Sequence, residues 1–210
     1  MKPKVNLEDD LKILAESTLD FPWEDKSAYA CWLAQTYFYV CQSTRLLALA
    51  ASRFDVDQHP IHLRFLEHLR EEHGHEHLAI RDLKGLGFDI KQFTEFPETS
   101  AFYQTQYYWL EHKDPISFFG WILCLEGLAV REGKTVHERV SKAHGKNCAH
   151  FLKVHAQEDI DHVEKAKKMV ASVDDKQAQI IQQNLRESRV FYQHMLSQSR
   201  QIKISGKKAA

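Results

Sequence analysis

Apolar residues recur along most of this chain at alternating intervals of three and four, the spacing that keeps them on one face of an α-helix. From the amino terminus the pattern predicts a short amphipathic helix over residues 7–17, broken by Phe21-Pro22-Trp23. A long helix is predicted from about Asp25 to Phe54. Its Tyr29, Trp32, Leu33, Tyr37, Val40, Leu47 and Ala51 spread widely enough around the axis to be buried on more than one side. Asp57-Gln-His-Pro60 reads as a cap with a proline in the first turn, opening a helix that runs to Gly85 and Gly87. After a loop through Pro97, Glu98-Thr-Ser opens another helix, which ends before Asp114-Pro115. Residues 115–132 form the most apolar helix, Gly133 and Gly145 punctuate the segment after it, and two last helices cover about 147–171 and 174–203. No stretch alternates as a strand would. The expectation is an all-α bundle of seven to eight helices forming a single domain over residues 1–210, with the tail after about 205 frayed.

Composition narrows the function classes. A hydrophobic content of 43% in 210 residues is enough for one sizeable core. The 28 basic and 29 acidic residues leave a formal net charge of -1, so no global field draws in nucleic acid or anionic lipid, and neither partner is expected. Cys31, Cys41, Cys124 and Cys148 are widely spaced with no C-x-x-C pair, and Met-Lys-Pro-Lys lacks the apolar core of a signal peptide. With no apolar run near the roughly 18 residues of a membrane span, a cytoplasmic protein with free thiols is expected.

Chemistry concentrates in three places. His155-Ala-Gln-Glu-Asp159-Ile-Asp-His162 sets two imidazoles and a carboxylate at i, i+4 and i+7, within an arc of roughly 60° on one helical face. Val154, Ile160, Val163, Met169 and Val170 supply apolar neighbours, so this face is expected to point inward, where unpaired polar groups cost several kcal/mol and a metal ion is the simplest partner. Thirteen histidines also produce pairs by chance on helix surfaces. In Glu71-Glu72-His73-Gly74-His75-Glu76-His77, Glu72 and His75 have the Glu-x-x-His spacing of carboxylate-bridged di-iron bundles, the alternative being a solvated face. Gly74 in a helix implies a cost or a close contact, and Glu71, His73, Glu76 and His77 are expected at the surface. Glu126, the only charged residue between Asp114 and Arg131, must be paired, protonated or bound to a cation. Three carboxylates and three imidazoles suit iron or manganese better than zinc, and such a site leaves positions open for dioxygen.

Together, the Glu-x-x-His segment running into Asp82-Leu-Lys-Gly-Leu-Gly87, the Gly-Trp-x5-Gly-Leu helix carrying Glu126, and the closing H-x3-D-x2-H element resemble the haem-oxygenase-like metal oxidases. That superfamily is similar in outline to pyrroloquinoline-quinone synthase and thiaminase-II-like (TenA) proteins, and is often labelled only iron-containing redox enzyme. The resemblance covers residues 30–170 and implies a haem-oxygenase-like helical bundle. It further implies Glu72, His75, Glu126, His155, Asp159 and His162 as ligands of two iron ions, with a single ion or manganese as variants. The implied partners are dioxygen and a small amino-acid- or fatty-acid-like substrate, with a homodimer left open. One departure stands out: relatives place a further Glu or His on the first long helix, where this chain has Tyr37, Tyr39, Gln42 and Thr44, leaving one metal position short of a ligand.

Rival readings make specific demands. A haem oxygenase holds its iron with a histidine on the first helix, whereas the first histidine here is His59. A thiaminase-II-like hydrolase needs an activated thiol, for which the Cys124/Glu126 pair is the sole candidate, without the proline-cysteine context of those enzymes. A non-catalytic metal- or partner-binding bundle is the third. The aromatic run Phe102, Tyr103, Tyr107, Tyr108 and Trp109 serves as pocket lining, core or a dimer face.

Overall fold

A computed structural model describes residues 5–202. The frayed tail expected after about residue 205 lies outside them. Eight α-helices succeed one another: α1 (Leu7–Leu19), α2 (Lys26–Ser52), α3 (His59–Glu72), α4 (Glu76–Gly85), α5 (Pro97–His112), α6 (Phe118–His144), α7 (His150–Ser172) and α8 (Asp175–Ser199). Short 3-10 turns link several of them, and no strand occurs among the described residues.

Helix α2 begins where Asp25 accepts hydrogen bonds from the Ser27 and Ala28 amides at 2.8 and 3.0 Å, meeting two of the donors a helix start leaves unpaired. Every residue from Ala28 to Thr36 is buried, so this helix is enclosed by α3, α4, α5 and α8, as its all-round apolar surface requires. Helix α6 has a similar buried run through Phe118–Cys124 and packs most extensively on α7, with α1 and α8 against its other sides. Phe21, Trp23, Tyr29, Phe65, Phe102, Phe118 and Phe119 are fully buried in the shared core.

Several sequence expectations change here. The helix expected from Pro60 to Gly85 is two, because Gly74 takes φ +94°, a conformation that ends α3 at Glu72 and lets α4 start at Glu76. A Cβ at Gly74 would meet nothing within 4 Å, so backbone conformation and not close packing calls for glycine there. Gly133 does not interrupt α6, which continues to His144. Instead its missing side chain admits Ala156 of α7, whose Cβ lies 3.0 Å from where a Gly133 Cβ would be. Pro97 opens α5 as its first residue instead of lying in the preceding loop. Ile160, expected to pack inward, is 55% exposed.

The start of α7 is pinned from a distance. Asp82 on α4 is fully buried and accepts from the Phe151 amide at 2.8 Å and from His150 Nδ1 at 2.9 Å. A carboxylate at a helix amino terminus meets both its orphan donor and its dipole. This contact sets where α7 lies along α4. Asp82→Ala is therefore expected to cost about 3 kcal/mol and Asp82→Asn less, measured by urea unfolding. A loss below about 1 kcal/mol for the alanine variant would show that α7 is positioned by packing alone.

Candidate metal centre

Three helices and one turn bring ligating side chains to one buried place. From α3 and the turn after it come His68, Glu72 and His75, from α6 Glu126, and from α7 His155, Asp159 and His162. Two groups have their ligating atoms mutually within 4.8 Å: His68, Glu72, Glu126 and His162, and separately Glu72, His75 and His155. Glu72 belongs to both. Asp159 is 1% exposed, with its Oδ1 3.5 Å from His162 Nδ1, at the edge of the first group.

His68 is the residue that sequence reasoning passes over, although a signal exists. His68-x3-Glu72-x2-His75 repeats the spacing of His155-x3-Asp159-x2-His162. The structure sets the two segments against each other in opposite directions. The first histidine of one meets the last of the other, with ring centroids 5.0 Å apart for His68 and His162 and 4.9 Å for His75 and His155. The ligand missing from α2 is thus balanced by an imidazole from α3, and α2 contributes Tyr39 to the neighbouring cavity wall instead.

The chain also fixes ring orientations. His155 Nδ1 donates to the Phe151 carbonyl at 2.8 Å and its ring stacks on Phe151, turning Nε2 towards the cluster. His162 Nε2 lies 3.3 Å from Glu71 Oε2, leaving Nδ1 to face Asp159 and Glu126. Glu71, expected at the surface, is instead half-buried; burial works to raise its carboxyl, but Lys165 at 2.9 Å and Arg64 at 3.1 Å outweigh it and lower it overall. Such outer partners of a metal-binding imidazole set its tautomer and raise its basicity. His73 and His77 are at the surface, as expected.

Electrostatics within the cluster are those of a site with excess negative charge. Burial opposes protonation of His68, yet Glu126 at 2.6 Å and Glu72 push it up to about 10. Burial alone would raise the Glu72 carboxyl, but His68 and His75 hold it well below the usual carboxylate range. Burial, reinforced by Glu126 and Glu72, holds Asp159 well above that range, and burial lowers His155. Carboxylates and imidazoles crowded this closely favour a bound cation.

Whether a metal fits is decided by unmet bonding capacity. His68 Nε2, His75 Nδ1, Glu126 Oε2, Asp159 Oδ1 and His162 Nδ1 are all buried without a well-aligned hydrogen bond, five of the ten such side-chain atoms among the described residues, although His68 Nε2 lies 2.6 Å from Glu126 Oε1 and His75 Nδ1 3.3 Å from Glu72 Oε2. Native interiors align nearly all such groups with partners, so five converging in one place with poor alignment fit a bound cation. A mixed set of imidazoles and carboxylates, with no thiolate, fits iron or manganese.

A cavity of about 100 Å³ adjoins the cluster, with His68, Glu72, Glu126, His155 and Asp159 in its wall. Its apolar lining includes Trp23, Trp32, Tyr39, Trp121 and Phe151. The aromatic run on α5 takes no part: Phe102 and Trp109 are core, and Tyr108 is 53% exposed. Cys124 is fully buried, is absent from the cavity wall, and has its thiol pushed far up by burial.

No curated protein matches the sequence significantly. Among solved structures, a domain of unknown function with a haem oxygenase-like fold from Shewanella denitrificans superimposes with a TM-score of 0.82 at 17% identity, covering 91% of this chain and 89% of that one. A TenA homologue from Pseudomonas syringae pv. tomato gives 0.79 at 14% identity, over 93% and 91% of the two chains. Another, from P. horikoshii, gives 0.75 at 14% identity, over 93% and 96%. At such identities the likeness establishes the fold, which is the all-α haem oxygenase-like one. The family model described as iron-containing redox enzyme matches residues 30–194. Spanning most of the sequence, from α2 to near the end of α8, that match makes the chain a member of the iron-containing redox enzyme family.

Proposed function

We propose that the protein is a non-haem iron oxidase or oxygenase that uses dioxygen on a small organic substrate bound in the cavity beside the cluster. The observation that carries this reading is the pair of facing H-x3-[DE]-x2-H segments with their buried, converging ligating atoms. His68, Glu126 and His162 would hold one ion and His75 and His155 a second, with Glu72 common to both and Asp159 beside the first. Iron bound there would supply the electron transfer that lets dioxygen react with an organic molecule.

The chain's own contribution is positioning and exclusion of water. Glu71 and the Phe151 carbonyl aim His162 and His155, while Trp32, Trp121 and their neighbours keep the cavity apolar, so that charges at its polar end act in a low dielectric. Among the described residues no helix is long and apolar enough to cross a membrane. Dioxygen and an amino-acid- or fatty-acid-like molecule are the partners this reading requires, and the cytoplasm is its natural setting.

The test is elemental analysis of protein from iron-supplemented cells, followed by anaerobic mixing of the ferrous protein with oxygen. About two irons per chain and an oxygen-dependent absorbance change are expected. No bound iron and no change with any candidate substrate would return the protein to the non-catalytic bundles. The hydrolase alternative is tested separately with Cys124→Ala, which is expected to leave oxygen consumption within about twofold of wild type, since a thiol this buried is neither ionised nor in contact with the cavity. Loss of activity in that variant with unchanged iron content would favour the thiol.

A further inference from the structure

The cavity wall includes one carboxylate outside the metal cluster, Glu132 of α6, six residues beyond Glu126 and so about 9 Å further along the helix axis. Its side chain is 15% exposed and accepts no hydrogen bond among the described residues. Its one ionic neighbour among them is Arg131 Nε at 3.5 Å, and Arg131 is 34% exposed with its guanidinium committed to Glu8 at 2.7 Å. Among the described residues no lysine or arginine lines the cavity. Four cations on the helices that wall it are engaged elsewhere: Arg64 and Lys165 on Glu71, Arg139 on Glu24, and Arg189 on Asp10.

A largely enclosed carboxylate without a hydrogen bond, beside an apolar and aromatic wall, is poorly solvated. A cationic group would meet it with charge-assisted hydrogen bonds, and its apolar body would pack on the aromatic wall that includes Trp23 and Trp32. A substrate carboxylate placed beside Glu132 would find no lysine or arginine in the wall and would be repelled.

We propose that the substrate is an aliphatic or aromatic amine that enters as the ammonium ion, with its charged nitrogen held by Glu132 and its apolar body extending towards the cluster. This rests on the proposed function, and narrows its substrate from amino-acid- or fatty-acid-like molecules to those presenting an amine without a carboxylate beside it.

Trp23, Trp32 and Trp121 line the cavity, so occupancy is readable as tryptophan fluorescence of the full-length, metal-free protein, independently of any turnover. The probes are octylamine, octanol and octanoate at neutral pH, which share a chain and differ in head group. Octylamine is expected to bind about tenfold more tightly than octanol, and octanoate more weakly than either. Glu132→Gln is expected to remove the amine's advantage while leaving octanol binding unchanged. Arg131→Ala, which deletes the competing cation without touching the cavity wall, is expected to tighten octylamine binding, and it keeps the proposal testable should the glutamine variant misfold. Octanoate binding as tightly as octylamine, octylamine not binding at all, or an amine preference indifferent to both substitutions would overturn it. Iron content of the same preparations, measured before the metal is removed, separates the two ideas. Protein that holds iron but shows no amine preference loses only the substrate, whereas protein that prefers amines but holds no iron loses only the oxidase.

Discussion

Glu72→Ala is expected to have the largest functional effect of any single substitution, lowering iron affinity more than about a hundredfold at both positions and abolishing iron-dependent oxygen consumption. Glu72 is the one residue common to both groups of ligating atoms, so its removal leaves each group short at once. Substitution of residues outside the ligand set already costs about 10- to 100-fold in metal affinity, and loss of a shared ligand should exceed that. His68→Ala and His75→Ala provide the contrast, because each touches one group and should reduce metal content from about two ions to about one. His162→Ala and Asp159→Ala should likewise end oxygen consumption.

In all these variants the far-ultraviolet circular dichroism should stay close to wild type. The stability of the bundle rests on apolar burial by Phe65, Phe118, Phe119 and the enclosed length of α2, and truncating a carboxylate in a crowded anionic cluster removes repulsion along with the ligand. Elemental analysis and an oxygen electrode measure the outcome. A Glu72→Ala protein that still binds two irons would show that the shared carboxylate does not organise the centre.

Gly120→Ala is expected to have the largest effect on stability, about 3 kcal/mol or more, lowering the melting temperature by about 6–12 °C. A Cβ at Gly120 would lie 2.5 Å from the Ile181 carbonyl oxygen and 2.6 Å from the Leu185 amide nitrogen, both backbone atoms of α8. Neither can swing aside, so α6 and α8 must separate. The same contact includes Asn184 Oδ1 at 2.9 Å, and Asn184 donates to buried Gln106 at 2.8 Å, so separation also strains a polar network linking α5 and α8. Gly127→Ala on the same helix is the control. There the nearest atom is Leu11 Cδ1 at 2.8 Å, the end of a flexible side chain, and a cost below about 1.5 kcal/mol is expected. Thermal unfolding of the two variants side by side measures the difference. Equal stabilities would mean that the α6–α8 contact yields as easily as a side chain.

Much of this protein was settled by its sequence alone. Three- and four-residue apolar spacing fixes helix as the repeating element, Asp25 and Asp174 start α2 and α8 with side-chain caps, and the 155, 159, 162 spacing puts three ligating groups on one face of α7 whatever surrounds it. Glu126 was conspicuous because an acidic residue in so apolar a stretch must find a partner. These features are local, decided by bond geometry and by residues within a turn or two of one another. What the tertiary structure alone decided depends on how each helix is rotated against neighbours distant in sequence. His68 joins the centre because α3 lies antiparallel to α7, Glu71 turns inward because His162, Arg64 and Lys165 meet there, and Gly133 lies mid-helix because Ala156 must approach it. Aromatic residues just before and on α2 and on α6, α7 and α8, and not the run on α5, wall the cavity for the same reason. Periodicity assigns a residue to a face, but which face meets which is set by side-chain packing across the bundle, where the terms that fix rotation come from contacts between residues far apart in the chain.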